Sequence, residues 1–284
     1  MVKIITDTTS VLPRQVAEKY HIPVIPQVIH FDDETYLEGI EIDNATFLSK
    51  LKRSKNLPKT SAPPPDLFSQ EFAKVQDPNE TILCIHPSAE VSGTVRSATV
   101  AAQDFPNLDI RIIDTRIVAS PLATLVTLAA QWAQEGLSAD AIVDRLSKMS
   151  KSCRIYFLVD TLEYMAKGGR IGNASALLGS VLQIKPILTF NDGKVDVFEK
   201  ERTQKRARER LENIIVEQIP KNQEAYLTLM HAGIPEDVAT FAERLSNRLS
   251  IQSIPIYEVP PAIITHAGPG VLGAAFFTYN IQNG

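Results

Sequence analysis

Short β-branched runs alternating with amphipathic stretches constrain this chain more than any other feature of its sequence. Strands separated by helices need crossover connections, and crossovers build a mostly parallel sheet. Residues 2–6 read as a strand, 13–20 as a helix with proline near its first turn, and 22–30 as strand again. The spacing predicts short helices over 44–51, 66–75 and 93–103. Compact apolar runs at 81–85 and 110–113, bounded by polar or proline residues, have the character of buried parallel strands. A long helix over 115–134, carrying Trp132 and ending near Gly136, and a second over 138–149 close this half.

The pattern then restarts with a strand over 155–159 and a short helix over 174–182. Strands over 184–190 and 195–199 flank Asn191-Asp-Gly-Lys194, a strong hairpin signal that brings an antiparallel pair into the second half. A charged helix over 202–218, a strand over 226–231 and a helix over 236–250 follow. Strands around 255–257 and 263–265 and a last helix over 270–277 complete the pattern. The expectation is two α/β domains: 1–151, with a mostly parallel sheet flanked by helices, and 152–284, with a mixed sheet. A chain of 284 residues is long enough for two cores.

Charge and composition narrow the partners. The formal net charge is −4, so nothing in the balance draws the chain to nucleic-acid phosphates or supports a polybasic membrane anchor. No apolar stretch approaches the ~20 residues that span a bilayer, and residues 2–6 follow the start without a secretory leader. A cytoplasmic location is expected, with no permanent membrane anchor and at most transient membrane contact. Cys84 and Cys153 both lie in apolar runs and read as buried reduced thiols rather than a disulfide or metal ligands.

Four segments place small hydroxylated or glycine residues where a strand is expected to end and a helix to begin. They are Asp7-Thr-Thr-Ser10, Thr60-Ser61, Ser92-Gly-Thr94 and His266-Ala-Gly-Pro-Gly270. In a parallel sheet such loops gather at the carboxyl ends of the strands, where free N–H groups and helix dipoles favour an anion. Each alone reads more readily as a helix cap, the four together favour an anion site, and spacing does not identify the anion. The Walker pattern is absent, and so is G-x-G-x-x-G after the first strand, which speaks against phosphate as the anion. Ser92 and His266 would be nucleophile and base in a hydrolase or transferase, but Glu90-Val-Ser-Gly93 lacks the leading glycine of a nucleophile elbow. A phosphatase built on Asp7 would want an aspartate where Thr9 stands, and the histidines and cysteines show no zinc spacing.

The order of segments resembles the DegV family of fatty-acid-binding proteins essentially from end to end. The resemblance is carried by Ile4-Ile-Thr-Asp-Thr-Thr-Ser10 with Leu12-Pro13, Thr60-Ser61 with Pro63, Ser92-Gly-Thr94 with Ser97-Ala98, and Asp114. It continues through Lys167-Gly-Gly-Arg-Ile171, Ile184-Lys-Pro-Ile-Leu188 with Gly193, and His266-Ala-Gly-Pro-Gly270 with Gly273. The resemblance implies two α/β domains, one buried long-chain fatty acid and no cofactor. It implies that the hydroxyls of Thr60 and Ser92 hold the carboxylate, supported by His266, with Ser61, Gly93 and Thr94 beside them. Arg170, with Gly268 and Gly270, would stand at the headgroup or phosphate end. The binding protein would not itself be an enzyme but would present the fatty acid to a separate ATP-dependent fatty acid kinase for acyl-phosphate formation. A lipid-responsive regulator on the same fold is the remaining alternative.

Two departures stand out. Thr8 and Val11 occupy positions where the family usually has serine and aspartate, and Ala62 replaces the usual glutamine after the threonine-serine pair. Thr8 keeps a hydroxyl; Ala62 removes a polar group beside the expected carboxylate site. Taken without the family, Arg170 reads as a solvated charge after a glycine helix stop. The basic run 202–210 reads as a solvated helix face, and His21, His30, His86 and His231 as ordinary histidines.

Overall fold

The computed structural model describes every residue except 1, 76, 78, 179–183, 222–224 and 280–284. In the first half the strands are β1 (Val2–Asp7), β2 (Val24–Ile25), β3 (Val28–Phe31), β4 (Glu34–Leu37), β5 (Lys59–Ser61), β6 (Thr81–His86) and β7 (Asp109–Asp114). The helices are α1 (Arg14–Tyr20), α2 (Asn44–Arg53), α3 (Pro65–Phe72), α4 (Thr94–Ala102), α5 (Ser120–Gln134) and α6 (Ala139–Ser152). A parallel sheet in the order β2-β1-β6-β7 confirms the crossover logic of the sequence. Its β6 is buried on both faces, with Ile82, Leu83, Cys84 and Ile85 fully enclosed, which is why it reads as an unbroken apolar run.

Residues 22–30 do not form one strand. Pro26 supplies no N–H to a ladder, and the run divides there into β2, in the parallel sheet, and β3, in a separate antiparallel sheet ordered β4-β3-β5. Gln27 sits at the break. The helix expected over 115–134 starts only at Ser120, because Arg116 and Ala119 take positive φ (58° and 65°) and cannot be helical.

The second half contributes β8 (Cys153–Leu158), β9 (Lys185–Asn191), β10 (Lys194–Glu201), β11 (Thr228–His231), β12 (Ile256–Glu258) and β13 (Leu272–Phe277). Its helices are α7 (Glu163–Lys167), α8 (Gln204–Gln218), α9 (Pro235–Leu249) and α10 (Pro261–Ala267). The sheet order is β10-β9-β8-β13-β11-β12, with β11 and β12 parallel and the remaining neighbours antiparallel. The hairpin turn between β9 and β10 has positive φ at Asp192 and Gly193 (48° and 80°), as its Asp-Gly pair requires.

Two expectations are overturned here. Of the helix expected over 270–277, residues 272–277 form strand β13 instead, and 263–265 lie in helix α10 rather than a strand. Leu272-Gly-Ala-Ala-Phe-Phe277 is apolar throughout and so carries no periodicity; its insertion between β8 and β11 decides the conformation. Proline at the first position of α10 supports its start. Of the helix expected over 174–182, residues 174–177 belong to a 3-10 segment, Gly172–Leu177, and 179–182 lie outside the described residues.

Alternation along β8 shows how the mixed sheet is used. Tyr156 and Leu158 face a core with Leu211 and Phe241 of α8 and α9, while Ile155 and Phe157 face the opposite way, toward the first half. The strands of the parallel and small sheets all precede residue 115, and those of the mixed sheet all follow 152. The largest core nevertheless joins both halves, taking Leu83, Ile85 and Leu122 together with Phe157, Leu188 and Phe277. Helix α5 lies between the sheets, and its Ser120 hydroxyl shares a 2.8 Å hydrogen bond with that of Thr228. Cys84 and Cys153 are free, and burial pushes both thiols well above their ordinary range.

A second tie between the halves is made by the loop after β6. Ser88 donates its hydroxyl proton to the Gly193 carbonyl at 2.8 Å, and Arg116 pairs with the Asp192 carboxylate at 3.0 Å. Ser88 is fully buried, so its bond outweighs the exposed ion pair. Ser88→Ala should lower the unfolding free energy by about 1 kcal/mol. Urea denaturation checks this, and an unchanged midpoint would show that the tie contributes nothing.

Candidate functional site

A cavity opens where the carboxyl ends of the parallel strands meet the inner face of the mixed sheet. Thr9 after β1, the 87–93 loop after β6 and Val118-Ala119 after β7 form one wall, as expected for an open parallel sheet. Ile155, Phe157, Phe190, Val195, Met230 and Gly273 from the mixed sheet form another. Helix α10 adds Ala262, Ile263, His266 and Ala267. The lining is predominantly apolar.

The polar lining residues adjoin one another around a closed circuit. Thr60, delivered by β5, has its Oγ1 2.6 Å from Nε2 of His266, in the last turn of α10. The other ring nitrogen of His266, Nδ1, faces Gly168, where an added Cβ would lie 2.4 Å away. Arg170, two residues on, donates Nη1–H to the Gly168 carbonyl at 2.7 Å and Nε–H to the Val91 carbonyl at 3.2 Å. Val91 leads to Ser92 and Gly93, and a Cβ on Gly93 would be 3.2 Å from Cβ of Ala62, two residues beyond Thr60. Glycine is needed at 168, where Nδ1 of His266 approaches so closely, while a Cβ at 93 would press on Ala62.

Burial, followed by the nearby charge of Arg170, pushes His266 down to about 4, so its imidazole is neutral near pH 7 and carries one proton. Nδ1 is buried without a partner among the described residues. A buried unpaired N–H is rarer than a buried lone pair without a donor, so the proton belongs on Nε2, pointing at Thr60. Thr60 then accepts from His266, and its own hydroxyl proton is free for a ligand. Arg170 has no carboxylate within ion-pair distance among the described residues, so its charge also favours an anion at this end.

Ser92 belongs to a chain of hydrogen bonds that runs into the protein. Its Oγ lies 2.7 Å from Oγ1 of Thr94 and accepts the Thr94 backbone N–H at 3.3 Å. Gln27 donates from Nε2 to Thr94 Oγ1 at 2.8 Å and to Asp7 Oδ1 at 3.0 Å. The same Oδ1 accepts the backbone N–H of Thr9 at 3.0 Å and its hydroxyl at 2.6 Å, and Oδ2 lies 2.8 Å from Nδ1 of His86.

Two of the four segments are built otherwise than the sequence suggests. Thr60 and Ser61 lie inside β5, and α3 begins only after Pro63 and Pro64. His266 ends a helix, and the glycines after it lead into β13, so no positive helix end meets the ligand there. Gly93, by contrast, caps α4, and Asp7 caps the short 3-10 turn after β1.

Thr60, Ser92, Gly93, Arg170 and His266 therefore meet at one cavity, with Thr94 one hydrogen bond behind Ser92. Ser61 does not join them: strand alternation turns it outward, where it bonds Nε2 of His30 at 2.8 Å. Gly268 and Gly270 hold backbone turns instead of lining the cavity. Their φ values are +80° and +85°, and a Cβ on either would collide with Tyr164 or Asp160. Sequence reading missed Gln27, a lone glutamine after a proline with no motif around it. It also missed Glu38, which is buried and accepts the Ala262 N–H of α10 at 2.5 Å.

The Ser92–His266 pairing of a hydrolase is not made, since Ser92 bonds Thr94 and His266 bonds Thr60. His266 also has no orienting acid on Nδ1 among the described residues. Among the described residues no cluster of three acidic, histidine or cysteine side chains could hold a metal ion, and no helix is long and apolar enough to cross a membrane.

Comparison with known proteins covers nearly the whole chain. The family model described as DegV matches residues 1–279. A DegV domain-containing protein of Listeria innocua is 34% identical over 273 residues, covering 96% of each chain. The crystal structure of DegV from Bacillus subtilis, described as a fatty acid binding protein, has a TM-score of 0.87 at 33% identity and covers 98% of this chain and 99% of its own. A fatty acid binding DegV family protein from Streptococcus agalactiae has a TM-score of 0.88 at 31% identity, covering 99% of both chains.

Proposed function

This chain belongs to the DegV family, and from that premise we propose that it buries one long-chain fatty acid and presents it to a separate ATP-dependent kinase. The observation that carries the reading is the closed circuit from Ser92 and Gly93 through Thr60, His266, Gly168 and Arg170, set in an otherwise apolar cavity. A carboxylate in such a cavity would be expelled or protonated without donors. The free hydroxyl protons of Thr60 and Ser92 supply them, His266 fixes Thr60, and Arg170 offsets the charge. The acyl tail fills the space between the sheets. At ~0.8 kcal/mol per buried methylene, a chain of about fourteen would gross roughly 11 kcal/mol, reduced by the loss of ligand freedom.

Holding the headgroup mainly through neutral hydroxyls leaves a carboxylate oxygen able to attack the γ-phosphorus of ATP on the kinase. The oxygen–phosphorus bond to ADP breaks, ADP departs, and an acyl phosphate remains in the cavity. In this reading the chain is a substrate-presenting subunit working in the cytoplasm, with no catalytic residue of its own. The proposed units 1–151 and 152–284 each contribute one side of the site, the first bringing Thr60 and Ser92, the second Arg170 and His266.

Native mass spectrometry of the purified protein, followed by denaturing extraction, tests the binding. One added mass per chain matching a long-chain fatty acid is expected. A bare protein mass that also gains nothing from added oleate or palmitate overturns the reading.

A further inference from the structure

Asp7, Gln27, Thr94 and Ser92 form a hydrogen-bond relay whose direction is determined at its buried end. The Asp7 carboxylate accepts two bonds from Thr9, so Gln27 must present its NH₂ rather than its carbonyl to that oxygen. The second amide proton then goes to Thr94 Oγ1, which is thereby an acceptor. Thr94 is fully buried, and the other hydroxyl oxygen within reach is that of Ser92. Were Ser92 to donate to Thr94, the Thr94 hydroxyl proton would be left buried and unpaired. Thr94 therefore donates to Ser92. Ser92 Oγ accepts from both the hydroxyl and the backbone N–H of Thr94, which fills its lone pairs and leaves its own proton for the cavity.

We infer that Gln27 is a positioning residue that sets the polarity of Ser92, turning this serine into an obligate donor and tuning the cavity end toward carboxylates over neutral headgroups. The inference rests on the fatty-acid reading above. A carboxylate only accepts hydrogen bonds, so it needs Ser92 as a donor. An alcohol both donates and accepts, so it is indifferent to the direction of the relay.

The test compares oleate with oleyl alcohol on delipidated full-length protein by titration calorimetry. Gln27→Glu keeps the shape of the side chain; protonated beside Asp7, it donates its one proton to that carboxylate and turns an accepting oxygen to Thr94, which frees Ser92 to donate inward. Oleate binding should weaken about tenfold, because the carboxylate must then compete for the Ser92 proton. Oleyl alcohol binding should change by less than about twofold. In a Ser92→Ala background, Gln27→Glu should add no further loss for oleate, because the group it directs is gone. Gln27→Met offers Thr94 no acceptor and should keep oleate affinity within about threefold of wild type, which keeps the test decisive if Gln27→Glu folds poorly. Unchanged oleate affinity in Gln27→Glu, equal losses for both ligands, additive losses in the Ser92→Ala background, or a tenfold loss in Gln27→Met would overturn the role of Gln27. Wild-type protein that takes up neither ligand would overturn the fatty-acid reading itself.

Discussion

Replacing Thr60 by valine and Ser92 by alanine together is expected to weaken long-chain fatty-acid binding by about a hundredfold to a thousandfold. Each change removes one neutral donor to a buried carboxylate, and bonds to charged groups contribute about 1.5–3 kcal/mol each. Arg170 and admitted water recover part of the loss, which sets the lower end of the range. The tail contacts are untouched, so oleyl alcohol should retain most of its affinity. Thr60 also bonds His266 at 2.6 Å, so valine there leaves the Nε2 proton unpaired and adds a further cost to the loaded and empty protein alike. Calorimetric titration of both ligands reads the effect. A loss below about tenfold for oleate would mean that the carboxylate is held elsewhere, with Arg170 the first alternative.

Glu38→Gln should change the pH dependence of stability, by an amount comparable to a sizeable share of the total. Burial, assisted by the charge of Asp7, pushes the Glu38 carboxyl up to about 7 from its ordinary 4.5, against the opposing influence of Thr8 and the Ala262 N–H. A carboxyl with a raised folded value binds its proton more tightly when folded. Its contribution is greatest below pH 4.5 and is lost as pH rises through about 7. The shift corresponds to about 3 kcal/mol. Glutamine keeps the carbonyl that accepts from Ala262 and never ionises.

His266 acts with the opposite sign. Its pKa falls from 6.5 to about 4, so folding favours the neutral ring, and stability increases as pH rises across that window. In the wild-type protein the two slopes oppose each other between about pH 4.5 and 6.5. Delipidated Glu38→Gln should therefore show rising stability up to about pH 6.5 and a clear gain over wild type at pH 8, followed by urea denaturation. Parallel curves for the two proteins would show that Glu38 does not titrate in this range. Because Glu38 accepts from the second residue of α10, its ionisation acts on the helix that carries His266 and part of the cavity wall.

The parallel sheet was legible in the sequence because buried strands leave compact apolar runs, as at 81–85, and because helices between them have amphipathic spacing. The Asp192-Gly193 turn was legible for a similarly local reason: left-handed backbone at both positions favours these residues. The antiparallel small sheet was not, since its strands are four residues or fewer and its β3–β5 pairing joins residues some thirty apart. Helix α10 and strand β13 were exchanged with the opposite conformations because short apolar runs carry no period. Only their neighbours distinguish them.

The same division runs through the site. Local chemistry in the sequence offered the candidates: hydroxyls at Thr60 and Ser92, glycine at 93 and a histidine at 266, while Arg170 entered only through the family resemblance. Their meeting at one end of a cavity was decided by tertiary structure, because Thr60 and His266 stand 206 positions apart and are joined only when α10 packs on β5. Proton direction was decided there too. A hydroxyl has no intrinsic polarity, and that of Ser92 follows from a buried carboxylate three hydrogen bonds away, which aligns every group between them.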